Sequence, residues 1–394
     1  MKTITVFTPT YNRKHTIHRT FESLCRQTCD DFEWLIIDDG SSDGTREWVE
    51  SLGEKLSGEL SELRKLNELS EAKMLCVDWM GRFFDRNVDD GVVHGDCVEL
   101  NSRNYFQIIV HPAPSTHSTS PQLPLNSPPS SLTITYIYKP NGGLYTGYNV
   151  AYQTIQTELC VCVDSDDYMP DDAIDKILTL WKKHYPNGTL NAKRLTQNSQ
   201  SSNLSTLTNM EYCGITGLDF NVEDKKAIGG YFPDGLQEVF FNELRLKGLH
   251  SGDTKQVLRT DLMKTVAPMI GFDGEKNFNP IYMMIQVMDK YPVLLMNENL
   301  CWVEYQIGAD SMSQGIFKQY VNSPRSFAKM RLMEMALKHN TFKDRFRSAF
   351  HYVSSCIIAK DKNWLKSSPK KLLTILVLPL GFIWYLYILF KTRK

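Results

Sequence analysis

The chain has 394 residues, 42% of them hydrophobic, so it can bury a large core and has the length of about two or three domains, or of one domain with additions. With 44 Lys plus Arg against 45 Asp plus Glu, the formal net charge of -1 excludes a nucleic-acid partner held by bulk charge. Nine cysteines, at 25, 29, 76, 97, 160, 162, 213, 301 and 356, follow no zinc or disulfide spacing, and their odd number fits a reducing compartment.

Met1 leads directly into the short apolar strand Ile4-Thr5-Val6-Phe7 rather than into a long apolar leader, which predicts a cytosolic catalytic part. Ile17, Phe21, Leu24 and Cys25 then recur at helical spacing. The pattern repeats with Trp34-Leu35-Ile36-Ile37, the loop Asp38-Asp39-Gly40-Ser41-Ser42-Asp43-Gly44, and a helix beginning near Thr45 that Ser42 or Asp43 can cap. From 54 to 133 the regularity is interrupted by an insertion. Residues 74 to 109 are rich enough in aromatics and valines to be compact, whereas 112 to 131 hold six prolines and six serines and are expected to be disordered. A third unit resumes at Ile134-Thr135-Tyr136-Ile137-Tyr138, turns at Pro140-Asn141-Gly142-Gly143, and enters a helix near Tyr148. Such βαβ alternation predicts an α/β fold with a mostly parallel sheet.

The next strand, Glu158-Leu159-Cys160-Val161-Cys162-Val163, ends in Asp164-Ser165-Asp166-Asp167. Side chains two apart on a strand point the same way, so Asp164 and Asp166 share a side. Paired hard oxygen ligands suit magnesium, manganese or calcium, and a magnesium-like ion held by one or two carboxylates completes its shell with substrate phosphates. The competing reading is helix capping. Pro170, Asp171 and Asp172 precede Ala173, Ile174, Ile177, Leu178 and Trp181, which predict a helix over 170–184. Capping accounts for Asp171 and Asp172, and Asp167 groups with them; it accounts poorly for Asp164. Open α/β sheets bind ligands beyond the carboxyl ends of their strands, where Asp38, Asp39, Asp164 and Asp166 would emerge together.

Further along, Asn187 to Asn209 reads as an exposed polar loop. His15, His18, His184 and His250 never pair at ligand spacing, and His15 and His18 read as surface residues. After residue 320, Phe327, Met330, Met333 and Leu337 predict an amphipathic helix. Leu372 to Phe390 carries no charge over nineteen residues and is flanked by Lys370, Lys371, Lys391, Arg393 and Lys394. As a helix it would span roughly 28 Å against a hydrocarbon core of about 30 Å, and Pro379 and Gly381 near its middle admit a kinked span or a re-entrant hairpin. A buried core helix is the alternative.

In chain order, Thr8-Pro9-Thr10-Tyr11-Asn12-Arg13, Ile36-Ile37-Asp38-Asp39-Gly40-Ser41-Ser42-Asp43-Gly44-Thr45, Asn141-Gly142-Gly143 with Asn149, and Asp164-Ser165-Asp166-Asp167 resemble family 2 glycosyltransferases, of the kind that build bacterial capsular and cell-envelope polysaccharide. The resemblance is strong over 1–53 and 134–182 and weaker over 210–320. It implies a GT-A fold, Rossmann-like, over 1–53 and 134–320; the remainder is then the 54–133 insertion, a helical region over 321–371 and the membrane-associated segment 372–390. It also implies inverting transfer of a hexosyl or N-acetylhexosaminyl group from a nucleotide diphospho-sugar, usually a uridine one, with manganese or magnesium.

Carried over by position, Pro9, Tyr11 and Arg13 would line the nucleotide pocket, and Asp39 with Asp38 would accept hydrogen bonds from the base. Asp164 and Asp166 match the family's D-x-D motif, Asp166 as the metal ligand and Asp164 nearer the ribose or a metal-bound water. Asn141 and Gly142 resemble the loop between the two pockets. Glu275, in Gly271-Phe272-Asp273-Gly274-Glu275-Lys276, is the candidate general base, with Asp273 its rival. Ser251-Gly252-Asp253 and Glu304-Tyr305-Gln306 also echo the family. With the terminal apolar segment, the expectation is an enzyme at the cytoplasmic face of the cell membrane whose acceptor is a lipid-linked or cell-envelope glycan. A nucleotidyltransferase that makes nucleotide sugars, and a non-catalytic membrane-bound nucleotide-binding module, are the alternatives.

Overall fold

The structure is a computed structural model that describes residues 2–54, 105–110, 131–186, 188, 211–304 and 315–392. The Pro/Ser-rich tract and most of the insertion, the polar 187–209 loop apart from residue 188, and Tyr305-Gln306 lie outside the described residues.

Strands β1 (Ile4–Thr10), β2 (Phe32–Asp38), β4 (Leu132–Tyr138) and β5 (Leu159–Cys162) form a parallel block in the order β4-β2-β1-β5. β1 is buried at every position and β2 at all but Glu33, as strands covered on both faces must be. The period of two sorts the side chains: Ile4, Val6, Trp34 and Ile36 pack with Ile17, Leu24, Ile174 and Trp181 on one face. Phe7, Leu35 and Ile37 pack with Tyr148, Ala151 and Tyr152 on the other. The covering helices are α1 (Lys14–Cys25), α2 (Thr45–Glu54) and α4 (Ala173–His184) on the first side, and α3 (Leu144–Thr154) on the second.

The sheet is mixed rather than mostly parallel, which corrects the expectation from βαβ alternation. Strand β3 (Tyr105–Val110), from within the insertion, adds antiparallel to β4 at one edge. Beyond β5, strand β8 (Thr254–Arg259) pairs antiparallel with both β5 and β6 (Gly214–Asn221), while β9 (Val293–Val303) runs parallel to β6. The two-residue β7 (Glu238–Val239) closes the far edge, giving β3-β4-β2-β1-β5-β8-β6-β9-β7. Three short helices, α5 (Phe241–Leu246), α6 (Thr260–Met263) and α7 (Ile281–Met288), accompany this second half.

The remaining chain is helical: α8 (Ile316–Asn322), α9 (Pro324–Ala336), α10 (Phe342–Ala359), α11 (Trp364–Ser367), α12 (Lys371–Leu376) and α13 (Leu378–Thr392). Ala328, Met335, Ala349, Tyr352, Val353 and Val377 form their shared core. The predicted continuous span 372–390 is broken at Val377, where Pro379 takes the opening turn of α13, a position that tolerates its missing N–H. At 15 residues α13 is about 22 Å long. Among the described residues no helix is long and apolar enough to cross a membrane.

Candidate active site

The carboxyl ends of β2, β1 and β5 lie side by side, with Thr10 in register with Asp38 and Phe7 with Cys162. They open onto a cleft of about 1460 Å³. Pro9, Tyr11, Arg13, Asp39, Asn141, Asp164 and Asp166 all line it, so most of the residues singled out in the sequence converge in space.

Local hydrogen bonds explain how the loops are held. After β1 the chain turns at Asn12, whose φ of 53° is left-handed, a region Asn tolerates better than most residues. The Asn12 N–H donates to Ser41 Oγ at 2.8 Å and its Oδ1 accepts from the Ser42 N–H at 2.8 Å, clamping the β1 and β2 loops together. Asp43, rather than Ser42, caps α2: it accepts from the Thr45 N–H at 3.0 Å, and its other oxygen accepts from the Lys14 N–H at 2.9 Å. Tyr11 is thereby left half exposed on the cleft wall.

Asp38 and Asp39 have different fates. Asp38 is fully buried, accepting from the Ser41 N–H at 2.7 Å and the Tyr136 hydroxyl at 2.6 Å, and it is not part of the cleft wall. Its expected contact with a base is therefore corrected to a structural role. Burial and the Asp38 charge push the Tyr136 hydroxyl up, so it stays a donor. Asp39 faces the cleft and accepts from the Gly142 and Gly143 N–H groups at 2.9 Å each, with Lys139 paired to it. Lys139 is 1% exposed and was not singled out in the sequence; the signal was Lys139-Pro140-Asn141-Gly142-Gly143, a cation beside a glycine turn. Gly143 sits at φ 94° with the Lys276 carbonyl so close that a Cβ would lie 2.3 Å from it. On the far side Lys276 Nζ donates to Asn141 Oδ1 at 2.7 Å, so this loop bridges the two halves of the cleft. Asn149 takes no part in the cleft wall: it exchanges two 2.9 Å bonds with the Met269 backbone.

Asp164 is exposed and Asp166 half-buried, both on the cleft. Burial first, and the neighbouring Asp164 second, push the Asp166 carboxyl above its usual range, while Arg13 and Arg19 oppose the shift. Asp167 departs from the expected helix-capping role. It is buried, and Lys255 Nζ lies 3.8 Å from it and 3.9 Å from Asp219. Burial raises Asp167 to about 8 and Asp219 to about 6, in each case against the opposing Lys255 charge. Burial alone would lower Lys255, but Asp219, Cys301 and Asp167 hold it well above its normal value. One Asp219 oxygen has no hydrogen-bond partner. Asp171 and Asp172, by contrast, pair with Arg26 at 3.0 Å and Lys176 at 2.9 Å at the start of α4.

Among the described residues no three His, Cys, Asp or Glu side chains gather into a ready-made metal site. Two cleft carboxylates with little local compensation instead suit an ion that brings its remaining ligands on an anionic substrate. Cys160 is an ordinary buried hydrophobe, its thiol raised to about 12 by burial. His250 is buried against Phe232, with ring centroids 4.9 Å apart, while His15 is exposed on the cleft rim.

The candidate base Glu275 is placed elsewhere. It is 6% exposed and does not line the cleft. Its Oε2 accepts from the Ser326 N–H and Oγ at 2.8 Å each, and its Oε1 accepts from the Arg325 N–H at 3.1 Å and Nε at 2.9 Å. The two backbone N–H groups are orphan donors of the first turn of α9, whose own N-cap residue Ser323 caps nothing through its side chain. Glu275 thus docks the helical region onto the second half of the sheet. The neighbouring Asp273 carbonyl accepts from the same Arg325 side chain, and Asp273 likewise lies off the cleft wall. The acidic groups that do line the second half are Asp219, Asp253, paired Glu304, and Glu334 at the α9 end. Ile281, Met284, Ile285, Phe327 and Met330 make that end apolar.

Residues 5–66 match the family model described as Glycosyl transferase family 2, so the resemblance read from the motifs holds over that segment. A validoxylamine A glucosyltransferase of Streptomyces hygroscopicus subsp. jinggangensis is 46% identical over 55 residues, 14% of this chain and 13% of that protein's length. Among solved structures, TarS of S. aureus in complex with UDP-GlcNAc is 15% identical with a TM-score of 0.45, covering 97% of this chain and 80% of that chain. The mannosyltransferase PcManGT from Pyrobaculum calidifontis, in complex with GDP-Man and Mn2+, is 13% identical with a TM-score of 0.43, covering 99% of this chain and 82% of that chain.

Proposed function

We propose that this chain is a GT-A-type glycosyltransferase that moves a sugar from a nucleotide diphospho-sugar, with a uridine nucleotide favoured, to a hydroxyl of a lipid-linked or cell-envelope glycan. The observation that carries the reading is the convergence of Tyr11, Arg13, Asp39, Asp164 and Asp166 on one cleft at the carboxyl ends of three adjacent strands. Tyr11 offers a ring to the base or ribose, and Asp39, fixed by Lys139 and two glycine N–H groups, presents a preoriented acceptor. Asp164 and Asp166 would hold a manganese or magnesium ion, which when bound neutralises charge on the departing diphosphate. Arg13 adds positive charge on the same side.

Inverting transfer needs a base on the acceptor hydroxyl, opposite the leaving group. Glu275 is committed to four hydrogen bonds at α9, so the proposed base is Asp253, which is exposed on the cleft immediately before β8. Asp219, buried beside Lys255, then acts as a fixed charge behind it. The test is transfer and hydrolysis with a panel of uridine and guanosine diphospho-sugars, with and without manganese. Turnover of at least one donor that stops on chelation supports the reading; no binding of any nucleotide sugar with either metal overturns it.

A further inference from the structure

The terminal helices carry an apolar stripe that the described residues leave largely exposed. On α12 and α13 the exposed positions Leu372, Ile375, Leu376, Leu380, Phe382, Ile383, Leu386, Tyr387 and Phe390 recur every three or four residues. Within each of the two helices that is the spacing of one face. The opposite face is already used: Thr374, Val377, Gly381 and Ile388 are buried, and Gly381 lets α13 approach α10 so closely that a Cβ there would lie 2.5 Å from Val353 Cγ1. A helix packed on a soluble core by one face shows polar residues on the other, yet here Leu372 is 85% and Leu376 68% exposed.

The charge pattern says what covers the stripe. After Asp361 the sequence contains seven lysines and arginines and no Asp or Glu up to its last residue given. Lys370 and Lys371 are exposed at the start of the stripe and Lys391 at its end. The protein carries nearly zero net charge overall, so this excess is local. Apolar side chains rimmed by cations alone suit an anionic lipid surface, where surface cations are attracted to the headgroups and the apolar face sinks about 5–10 Å into the headgroup boundary. A second copy of the chain would set these lysines against each other.

We propose that α12 and α13 dock the protein onto an anionic bilayer, lying in its plane instead of crossing it. Helix α8 ties this surface to the cleft. Its Ile316, Gln319 and Tyr320 line the cleft while its Phe317 ring meets Tyr387 of the stripe at 5.7 Å. Docking therefore brings the apolar end of the cleft beside the lipid, where a membrane-borne acceptor would arrive. The docking itself does not depend on the reaction proposed above, and vesicle binding reads it without any substrate.

The experiment is flotation of the full chain with phosphatidylcholine vesicles lacking or containing phosphatidylserine, at low and high salt. The expected result is flotation that rises with phosphatidylserine, falls with salt, and is released by alkaline carbonate. The combined variant Leu376→Glu, Phe382→Glu and Ile383→Glu, off the cleft and off the buried face, should bind at least about tenfold more weakly with an unchanged melting temperature. A wild-type chain that stays in solution with every vesicle overturns the proposal. So does one that dimerises through this stripe, one that resists carbonate, or one whose flotation survives the combined variant.

Discussion

The two halves of the sheet use the same residue type in opposite ways. In the parallel half, Asp39, Asp164 and Asp166 stand at strand ends and face the cleft. In the antiparallel half and its helices, Glu275 accepts from two N–H groups in the first turn of α9, and Asp219 lies beside a buried lysine that it shares with Asp167 from the loop after β5. What decides a carboxylate's role is the set of donors that the fold brings to it. At the parallel strand ends the ladder leaves no spare backbone donors, so Asp38 and Asp39 find theirs in neighbouring loops while Asp164 stays exposed. In the first turn of α9 the N–H groups of Arg325 and Ser326 have no intrahelical partner, and the acid is consumed by them.

That contrast can be broken most sharply at the proposed base. Asp253→Asn should lower transfer by about two to four orders of magnitude while leaving donor binding within a few fold, measured by turnover beside calorimetry. Glu275→Gln should do the reverse. It replaces an acceptor oxygen with a donor amide against N–H groups, costing about 1–3 kcal/mol in thermal unfolding, with turnover per folded molecule kept within a few fold. If Glu275→Gln instead abolishes transfer in a fully stable protein, the division between the two regions is wrong.

A smaller effect sharpens the picture of the buried pair. Burial raises Asp167 to about 8 in the folded chain, whereas an exposed Asp in the unfolded chain sits at about 4. The folded state therefore holds the extra proton between these values, and its stability falls as pH rises through that window. Asp167→Asn should flatten this decline in the metal-free protein; a pH profile identical to wild type would remove Asp167 from the account.

Much of the first half was legible because its signals are local. Strand, loop and helix follow from periodicity within about ten residues, and a carboxylate at the end of an apolar run announces itself. The split between Asp38 and Asp39 was not legible, since it depends on Tyr136 and Lys139 a hundred residues away. The contacts of Glu275 with α9 were not legible for the same reason: its partners Arg325 and Ser326 are fifty residues on, and Gly-Glu-Lys looks the same whether its acid meets solvent or a helix end. The antiparallel β8 follows no local pattern either, because strand direction is set by how the chain returns to the sheet. The apolar run 372–390 was plain in the sequence, but its division at Val377 into two short helices was not.

The most direct test of the central claim is calorimetric titration of uridine diphosphate into the wild-type chain and the Asp166→Ala variant, each with manganese and with chelator. The account predicts manganese-dependent binding to the wild type and a loss of about 100-fold or more in that dependence for the variant. Equal binding by both proteins, with or without manganese, would contradict it.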